Sequence, residues 1–192
     1  MIYFTSDLHF GHENLITKGS RPQFEHVEMM DSIMIENWNK KVRETDDVYI
    51  VGDFCFRSRH PAEVYLEKLK GKKHLLIGNH DFEWLKKMKY PERYFKTMKD
   101  ITYRSDREHQ FTLCHYPWME WPGSKGEHSK PGYMIHGHIH DNKDHMTYKL
   151  VKANHIQRLL NCSVDINDFQ PVTLEELIEN NNRWYERRNG WK

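Results

Sequence analysis

The chain has 192 residues and a formal net charge of +1, which suits one domain with a complete hydrophobic core and excludes a disordered polyelectrolyte. Its mean hydropathy is -0.90, and no apolar run approaches the roughly twenty residues that a membrane helix needs. Because 29 basic residues balance 28 acidic ones, the composition gives no strong nucleic-acid signal.

Six short runs of β-branched or aromatic residues predict strands. Gly, Asp, Asn or Pro bounds each run, and several runs are apolar throughout, as expected for strands covered on both faces. In chain order, the predicted strands are 2–5, 48–51, 74–77, 111–114, 133–135 and 160–164.

Three helices are predicted between and after these strands. Apolar residues at helical spacing predict the first over 27–42, and a second over 62–69 starts near a proline and ends before a glycine. Thr173 and Glu176 form a capping box for a helix that reaches Trp184.

Two segments stay ambiguous in the sequence. Residues 83–94 fit either a helix or a loop, and the polar, glycine-containing segment 123–132 predicts a mobile loop. Elsewhere, strands alternate with helices, which predicts a layered α/β fold with a mixed sheet where the later strands follow one another closely. No linker or repeat divides the chain, so we expect one domain.

The first residues and the cysteines indicate the compartment. Because Asp7 and His9 lie within the first ten residues, we expect no signal peptide here. The three cysteines, Cys55, Cys114 and Cys162, are widely spaced and form no Cys-x-x-Cys pair. They predict reduced core thiols in a cytoplasmic protein.

Histidine is the unusual component, with 14 copies. Histidine, aspartate or asparagine follows each of the first five predicted strands, either directly or after one Ser or Gly. Because the carboxyl ends of strands line one crevice in layered α/β folds, we expect these side chains to converge. In chain order they are Asp7, His9, Asp53, Asn79, His80, Asp81, His115, His136, His138 and His140.

These residue types indicate a transition-metal site. Mixed imidazole and carboxylate ligands suit Mn, Fe or Zn, whereas Ca prefers oxygen ligands alone. The set is larger than one tetrahedral ion needs, and it is enough for two ions about 3.5–4 Å apart that share a carboxylate. Asp53 is the predicted bridge, because each of its two oxygens can bind one ion.

Taken in order, the motifs Asp-x-His, Gly-Asp, Gly-Asn-His-Asp, a lone His and Gly-His-x-His resemble the calcineurin-like metallophosphoesterase superfamily. The wider frame, including Asn-Cys-Ser-Val-Asp at 161–165, is similar to small bacterial and phage members. The resemblance implies a single domain of this kind over 1–192. It also implies a four-layer α/β/β/α sandwich with two central mixed β-sheets.

The resemblance further implies a dinuclear metal-dependent hydrolase that cleaves phosphomonoester or phosphodiester bonds by attack of a metal-bridging hydroxide. Its cofactors would be two divalent transition-metal ions, with Mn favoured over Fe and Zn. His80 would protonate the leaving group, with Asp81 orienting its ring. The implied first ion is held by Asp7, His9, Asp53 and His140, and the second by Asp53, Asn79, His115 and His138.

Substrate contacts and an alternative function stay open at this level. His12, Arg21 and Arg57 are candidates to bind substrate, since arginine suits phosphate, and the aromatic run 116–122 either stacks on a nucleobase or packs in the core. His136 fits a strand end or a position behind the ligands.

The substrate is expected to be a small phosphoester, with nucleotides as candidates. A catalytically silent, metal-bound scaffold for protein interaction is the alternative, and the oligomeric state stays open.

Overall fold

A computed structural model describes residues 1–125 and 130–186, and within them eight strands form two four-stranded sheets. The strands are β1 Ile2–Thr5, β2 Asp47–Val51, β3 Lys72–Leu76, β4 Phe95–Lys99, β5 Ile101–Ser105, β6 Gln110–Cys114, β7 Gly132–His136 and β8 Leu159–Asn161.

The two sheets differ in strand direction. The first has the order β1-β2-β3-β4 and is parallel along these four strands. The second has the order β5-β6-β7-β8, in which β5 runs antiparallel to β6 and the other pairs are parallel. Two mixed sheets were expected, but only the second is mixed within its own strands. The short connection between β5 and β6 allows a hairpin, whereas the connections among β1 to β3 contain crossover helices.

Six α-helices and two 3-10 turns connect or cover the described strands. The helices are α1 Asn14–Thr17, α2 Val27–Lys41, α3 Ala62–Leu66, α4 Phe82–Leu85, α5 Met146–Ala153 and α6 Leu174–Trp184, and the 3-10 turns are Pro91–Arg93 and Val164–Ile166.

The predicted helices form, with one end misplaced. α2 matches the apolar stripe, whereas α3 ends at Leu66, three residues before its predicted end. The capping box of α6 is confirmed, since the Thr173 amide donates to Glu176 Oε2 at 2.9 Å and the Glu176 amide donates to Thr173 Oγ1 at 3.4 Å.

Other boundaries differ from the predictions because side-chain caps and edge positions override local propensity. The predicted strand 160–164 ends at Asn161, since Ser163 caps the turn that follows. Segment 83–94 contains the end of α4 and one 3-10 turn. β4 and β5 were not predicted because most of their residues are polar and exposed. In the segment 123–132, residues 126–129 lie outside the described part of the chain, so the expected mobility is not addressed there.

Three packed regions make the layers. Between the sheets, Phe4, Val51, Leu113 and Ile135 are buried together. α2 and α3 cover the outer face of the first sheet, and α5 covers that of the second through Val151. This is the expected four-layer arrangement. The three cysteines are free and buried.

No helix within the described residues is both long enough and apolar enough to cross a bilayer.

Candidate metal centre

The loops that follow the strands are held together by backbone hydrogen bonds that continue both sheets. The amide of Asp7 donates to the carbonyl of Gly52 at 3.0 Å, and the amide of His9 donates to the carbonyl of Asp53 at 2.9 Å. In the second sheet, the Gly137 amide donates to the carbonyl of His115 at 3.0 Å. Strand ends that are distant in sequence therefore meet at one rim.

Five of the predicted ligands have a left-handed backbone conformation. Their φ angles are 55° at Asp7, 50° at His9, 56° at Asp53, 72° at His138 and 51° at His140. Residues other than glycine rarely adopt this region, and such conformations cluster at functional sites, where surrounding structure imposes them. Here the conformation turns successive side chains out of the strand direction and into the crevice.

Two glycines of the motifs allow this close approach. A Cβ atom at Gly52 would lie 2.3 Å from Nδ1 of His115, and one at Gly78 would lie 2.4 Å from Oδ1 of Asp53. Gly52 also has a φ of +87°. Any larger residue at either position would displace a predicted ligand, which is the physical reason for glycine there.

The first predicted ion site brings together Asp7, His9 and His140. One donor atom from each lies within 4.8 Å of the others. Asp7 is fully buried, and its carboxylate accepts the amide of His138 at 3.0 and 3.1 Å. Within the described residues, both ring nitrogens of His9 are buried and have no hydrogen-bond partner. A buried polar atom without a partner is unfavourable, so an ion bound by His9 would remove this cost.

Asp53 lies between the two predicted ion sites. Its Oδ2 is 3.5 Å from Nε2 of His9 and 3.4 Å from Nε2 of His115. Its Oδ1 accepts the amide of His80 at 2.9 Å. Although burial opposes ionisation, the hydrogen bond and charge of His115 hold the pKa of Asp53 below its usual value. The carboxylate is therefore ionised and faces ligands of both sites.

The second predicted ion site gathers Asn79, His115 and His138. Oδ1 of Asn79 accepts from Nε2 of His115 at 2.9 Å and from Nδ1 of His138 at 3.0 Å. Nδ1 of His115 donates to the carbonyl of Val51 at 2.9 Å, which fixes the ring. Burial opposes protonation of His115, but Asp53 and Asp7 raise its pKa to about 9. Oδ1 of Asn79 thus lies within 3.0 Å of one ring nitrogen of each histidine.

These donors fit divalent transition-metal ions. They combine imidazole nitrogen, carboxylate oxygen and one amide oxygen, which suits Mn, Fe or Zn. Two overlapping groups of donors within 4.8 Å of one another occur among the described residues, namely Asp7, His9 and His140, and Asp7, Asp53 and His115. The unpartnered nitrogens of His9 add an independent indication that an ion belongs there.

Asp165 is a functional residue that the sequence analysis missed. Its Oδ2 accepts from Nδ1 of His140 at 2.7 Å and from Oγ of Ser163 at 2.9 Å. Arg21 donates Nε to Oδ1 at 2.7 Å and Nη2 to Oδ2 at 3.0 Å. A carboxylate behind a ligating histidine orients the ring and raises its basicity. Its position is the signal that could have found it, because Asp165 directly follows the predicted strand 160–164.

Arg21 does not face the crevice, which corrects the expectation that it contacts substrate. Its side chain is 1% exposed. Besides Asp165, its guanidinium donates to the carbonyl of Asp7 at 2.6 Å and to that of Leu8 at 3.0 Å. A fifth hydrogen bond goes from Nη1 to Sδ of Met30 at 3.5 Å, so all five N–H groups are used and none is left for a phosphate.

Asp81 also has a different role from the expected one. It is fully buried and accepts the amides of Asp53, Phe54 and Gly78 at 2.8–2.9 Å, and the indole N–H of Trp84 at 2.9 Å. These four donors use both oxygens, and no hydrogen bond joins Asp81 to His80 within the described residues. Burial raises the pKa of Asp81 to about 6. The carboxyl holds the loop that carries Asp53 and does not orient the ring of His80.

His80 lies at the rim with its ring against the ligands. Its ring centroid is 5.3 Å from that of His9 and 3.9 Å from that of Phe56. His12 lies on the same side, with its centroid 4.8 Å from Phe56, and burial with its cationic neighbours lowers the pKa of His12 to about 4. Arg57 is exposed, and its Cζ lies 5.1 Å from the Phe56 centroid. His12 and Arg57 thus stay near the candidate site.

The opposite rim contains part of the aromatic run. Tyr116 is 46% exposed, and its ring centroid lies 4.7 Å from that of His138. Trp121, by contrast, is buried and donates its indole N–H to the carbonyl of Gly132 at 2.9 Å. Tyr116 of the aromatic run therefore lies at the rim of the site, whereas Trp121 packs in the core. His136 is fully buried behind the ligands, where Nδ1 donates to the carbonyl of Gly137 at 2.8 Å.

A comparison with known proteins identifies the fold family. The sequence model of the calcineurin-like phosphoesterase family matches residues 1–187.

The chain belongs to the calcineurin-like phosphoesterase family.

Two proteins and one solved structure show the extent of the similarity. An uncharacterized protein of Methanocaldococcus jannaschii is 33% identical over 181 residues, which cover 93% of this chain and 89% of that protein. Gene 66 protein of Mycobacterium phage L5 is 35% identical over 82 residues, or 41% of this chain and 39% of its own. A crystal structure of a protein of unknown function from Aquifex aeolicus superposes with a TM-score of 0.67 at 26% identity, covering 93% of this chain and 98% of that one.

Membership of this family makes the chain a metal-dependent phosphoesterase in kind, with candidate metal-binding groups of Asp and His at its strand ends.

Proposed function

We propose that the chain is a dinuclear hydrolase of small phosphoesters. The observation that carries the proposal is Oδ2 of Asp53 midway between two imidazoles, 3.5 Å from His9 and 3.4 Å from His115. One carboxylate within reach of both ligand sets is the arrangement that two ions need to share a bridge. Asp7, His9, Asp53 and His140 would hold one ion, and Asp53, Asn79, His115 and His138 the other.

Bound ions would supply two things, namely a water of lowered pKa as nucleophile and positive charge to neutralise the phosphate oxygens. The chain supplies orientation. Asp165 and the Val51 carbonyl hold Nδ1 of His140 and His115, so that Nε2 of each ring faces the centre. Because these rings are fixed before substrate arrives, little reorganisation is needed during the reaction.

His80 is the proposed general acid. Its ring lies beside that of His9 at the open rim, and its amide is anchored on Asp53. An imidazole in this place can donate a proton to the departing oxygen, since histidine is readily protonated near neutral pH. With Asp81 used elsewhere, the aromatic ring of Phe56 is what packs against His80 and positions it.

Mn is the favoured metal, and the test is direct. Purified chain is stripped with EDTA, reconstituted with Mn, Fe or Zn, and assayed with bis-p-nitrophenyl phosphate and p-nitrophenyl phosphate. We expect Mn-stimulated, EDTA-sensitive release of nitrophenol at two ions per chain. Metal binding without hydrolysis of any mono- or diester in a substrate screen would contradict the proposal and would favour the catalytically silent scaffold.

A further inference from the structure

A cavity of about 300 Å³ opens beside His80, and none of the candidate metal ligands lines it. The segment 55–63 and the end of α4 line it, with Phe56 and Trp84 among its aromatic residues. If His80 gives its proton to the departing oxygen, the leaving group lies on this side. The cavity is at the lower end of the range for ligand pockets, which suits a group the size of a phosphorylated sugar.

Two cations that line this cavity, Arg57 and Lys87, are available to a ligand. Arg57 has a left-handed backbone with a φ of 49°, and its guanidinium lies over the ring of Phe56 at 5.1 Å. Within the described residues, its side chain makes no hydrogen bond or ion pair, and the same holds for Lys87. The neighbouring Arg59, by contrast, pairs with Glu13 at 2.9 Å. Backbone strain at an exposed arginine with no acidic partner indicates a functional placement.

Two carboxylates also line the cavity. Glu63 and Glu83 both face the cavity, and neither forms an ion pair with Arg57 or Lys87 in the described part of the chain. Carboxylates accept hydrogen bonds from hydroxyl groups, whereas the arginine fork and the ammonium group bind phosphate. A ligand with hydroxyls along its length and a phosphate at its end would satisfy both kinds of side chain.

We propose that this cavity is a leaving-group subsite for a phosphorylated polyol, such as a sugar or ribose phosphate. The inference rests on the proposed function and narrows its substrate class to esters whose leaving group carries a second phosphate. In the reaction, water gives a hydroxyl to phosphorus, the bond from phosphorus to the sugar oxygen breaks, and the departing oxygen takes its proton from His80. The remaining proton of the water passes to solvent, from which His80 is reprotonated. The products are inorganic phosphate and the sugar phosphate.

The first experiment measures binding without catalysis. Metal-free full-length chain is titrated calorimetrically with ribose 5-phosphate, with ribose and with inorganic phosphate. We expect ribose 5-phosphate to bind at least about tenfold more tightly than either, the gain expected from one charge-assisted hydrogen bond. Arg57→Gln should remove about tenfold of this affinity, and Lys87→Gln serves as a second variant. The control Arg107→Gln, on the exposed connection between β5 and β6, should leave the affinity unchanged.

The second experiment uses Mn-reconstituted chain with fructose 1,6-bisphosphate and fructose 1-phosphate, read as kcat/KM for phosphate release. We expect a preference of about tenfold for the bisphosphate that falls toward one in Arg57→Gln. Equal hydrolysis of both, or ribose 5-phosphate that binds independently of Arg57, would overturn the subsite. Binding that depends on Arg57 but is accompanied by no hydrolysis of any phosphoester would support the subsite and overturn the proposed function instead.

Discussion

The two halves of the candidate metal centre rest on different supports. The first half, Asp7, His9 and His140, is backed by a buried ion pair, because Asp165 binds both His140 and Arg21. The second half, Asn79, His115 and His138, has one neutral backbone carbonyl behind His115 and an exposed tyrosine beside His138. We expect the first half to bind its ion more tightly, since a carboxylate behind a histidine raises its basicity.

The most severe test removes the residue that both halves share. Asp53→Ala should lose both ions, and hydrolysis should fall by roughly 10³-fold or more, because neither ion keeps its bridging ligand. Metal content by elemental analysis, together with kcat/KM, measures the effect. Asp100→Ala, at an exposed bend between β4 and β5, is the matched control. An Asp53→Ala chain that keeps two ions would show that the halves are independent.

A second change leaves both halves intact and affects only the proton transfer. His80→Asn should keep two ions per chain while kcat falls by about 10²–10⁴-fold, the usual contribution of a general acid. His26→Asn is a suitable control, since His26 is exposed and asparagine can also cap α2. Equal rates in the wild type and His80→Asn would exclude the assignment.

The third change tests whether the carboxylate behind His140 makes the first half bind its ion more tightly than the second. Asp165→Asn keeps the shape of the side chain but removes the charge behind His140 and beside Arg21, so the affinity of the first half should fall roughly 10–100-fold. Stepwise metal titration should show the second half unaffected. Asp168→Asn, three residues later and exposed, tests for nonspecific charge effects. If Asp165→Asn lowered the metal affinity of the second half more than that of the first, the expected difference between the halves would be wrong.

The last expected effect, which needs no substitution, is a pH dependence of metal affinity shared by the two halves. Asp7 and Asp165 raise the pKa of His140 to about 9 against the effect of burial, and the pKa of His115 is also about 9. Both rings are protonated at pH 7 in the metal-free chain, so each ion must displace a proton. Affinity should therefore rise from pH 7 to 9, by at most about tenfold per unit for each ring. Calorimetry in two buffers counts the protons released on metal binding. A metal affinity that does not change between pH 7 and 9 would contradict the raised pKa values of His115 and His140.

Much of the fold and the grouping of the site residues follows from the sequence, because strand-end motifs are local. Apolar runs located β1 to β3 and β6 to β8, and the placement of histidine after these strands located the candidate ligands. β4 and β5 escaped prediction since edge strands lack the apolar pattern that burial imposes.

The roles of Arg21, Asp81 and Asp165 did not follow from the sequence, for a physical reason. Each is an ordinary charged residue whose partners are distant in the chain: Arg21 and Asp165 are 144 residues apart. A charge that stabilises a ligand from behind has no spacing rule, because only tertiary packing brings it there. Local motifs predict what points into a crevice, whereas the residues that hold the motifs require coordinates.

The last helix, α6, has a consequence for how the chain matures. Asn181 on this helix accepts the amide of Asn161 at 2.8 Å and donates to its carbonyl at 2.9 Å, and Asn161 in turn donates to the carbonyl of His140 at 2.7 Å. A ligand loop is thus fastened by a residue translated about forty positions later. A nascent chain still lacking Asn181 would have every candidate ligand already synthesised yet an unsecured His140, so secure loading of the first half would have to wait until the ribosome has completed this helix.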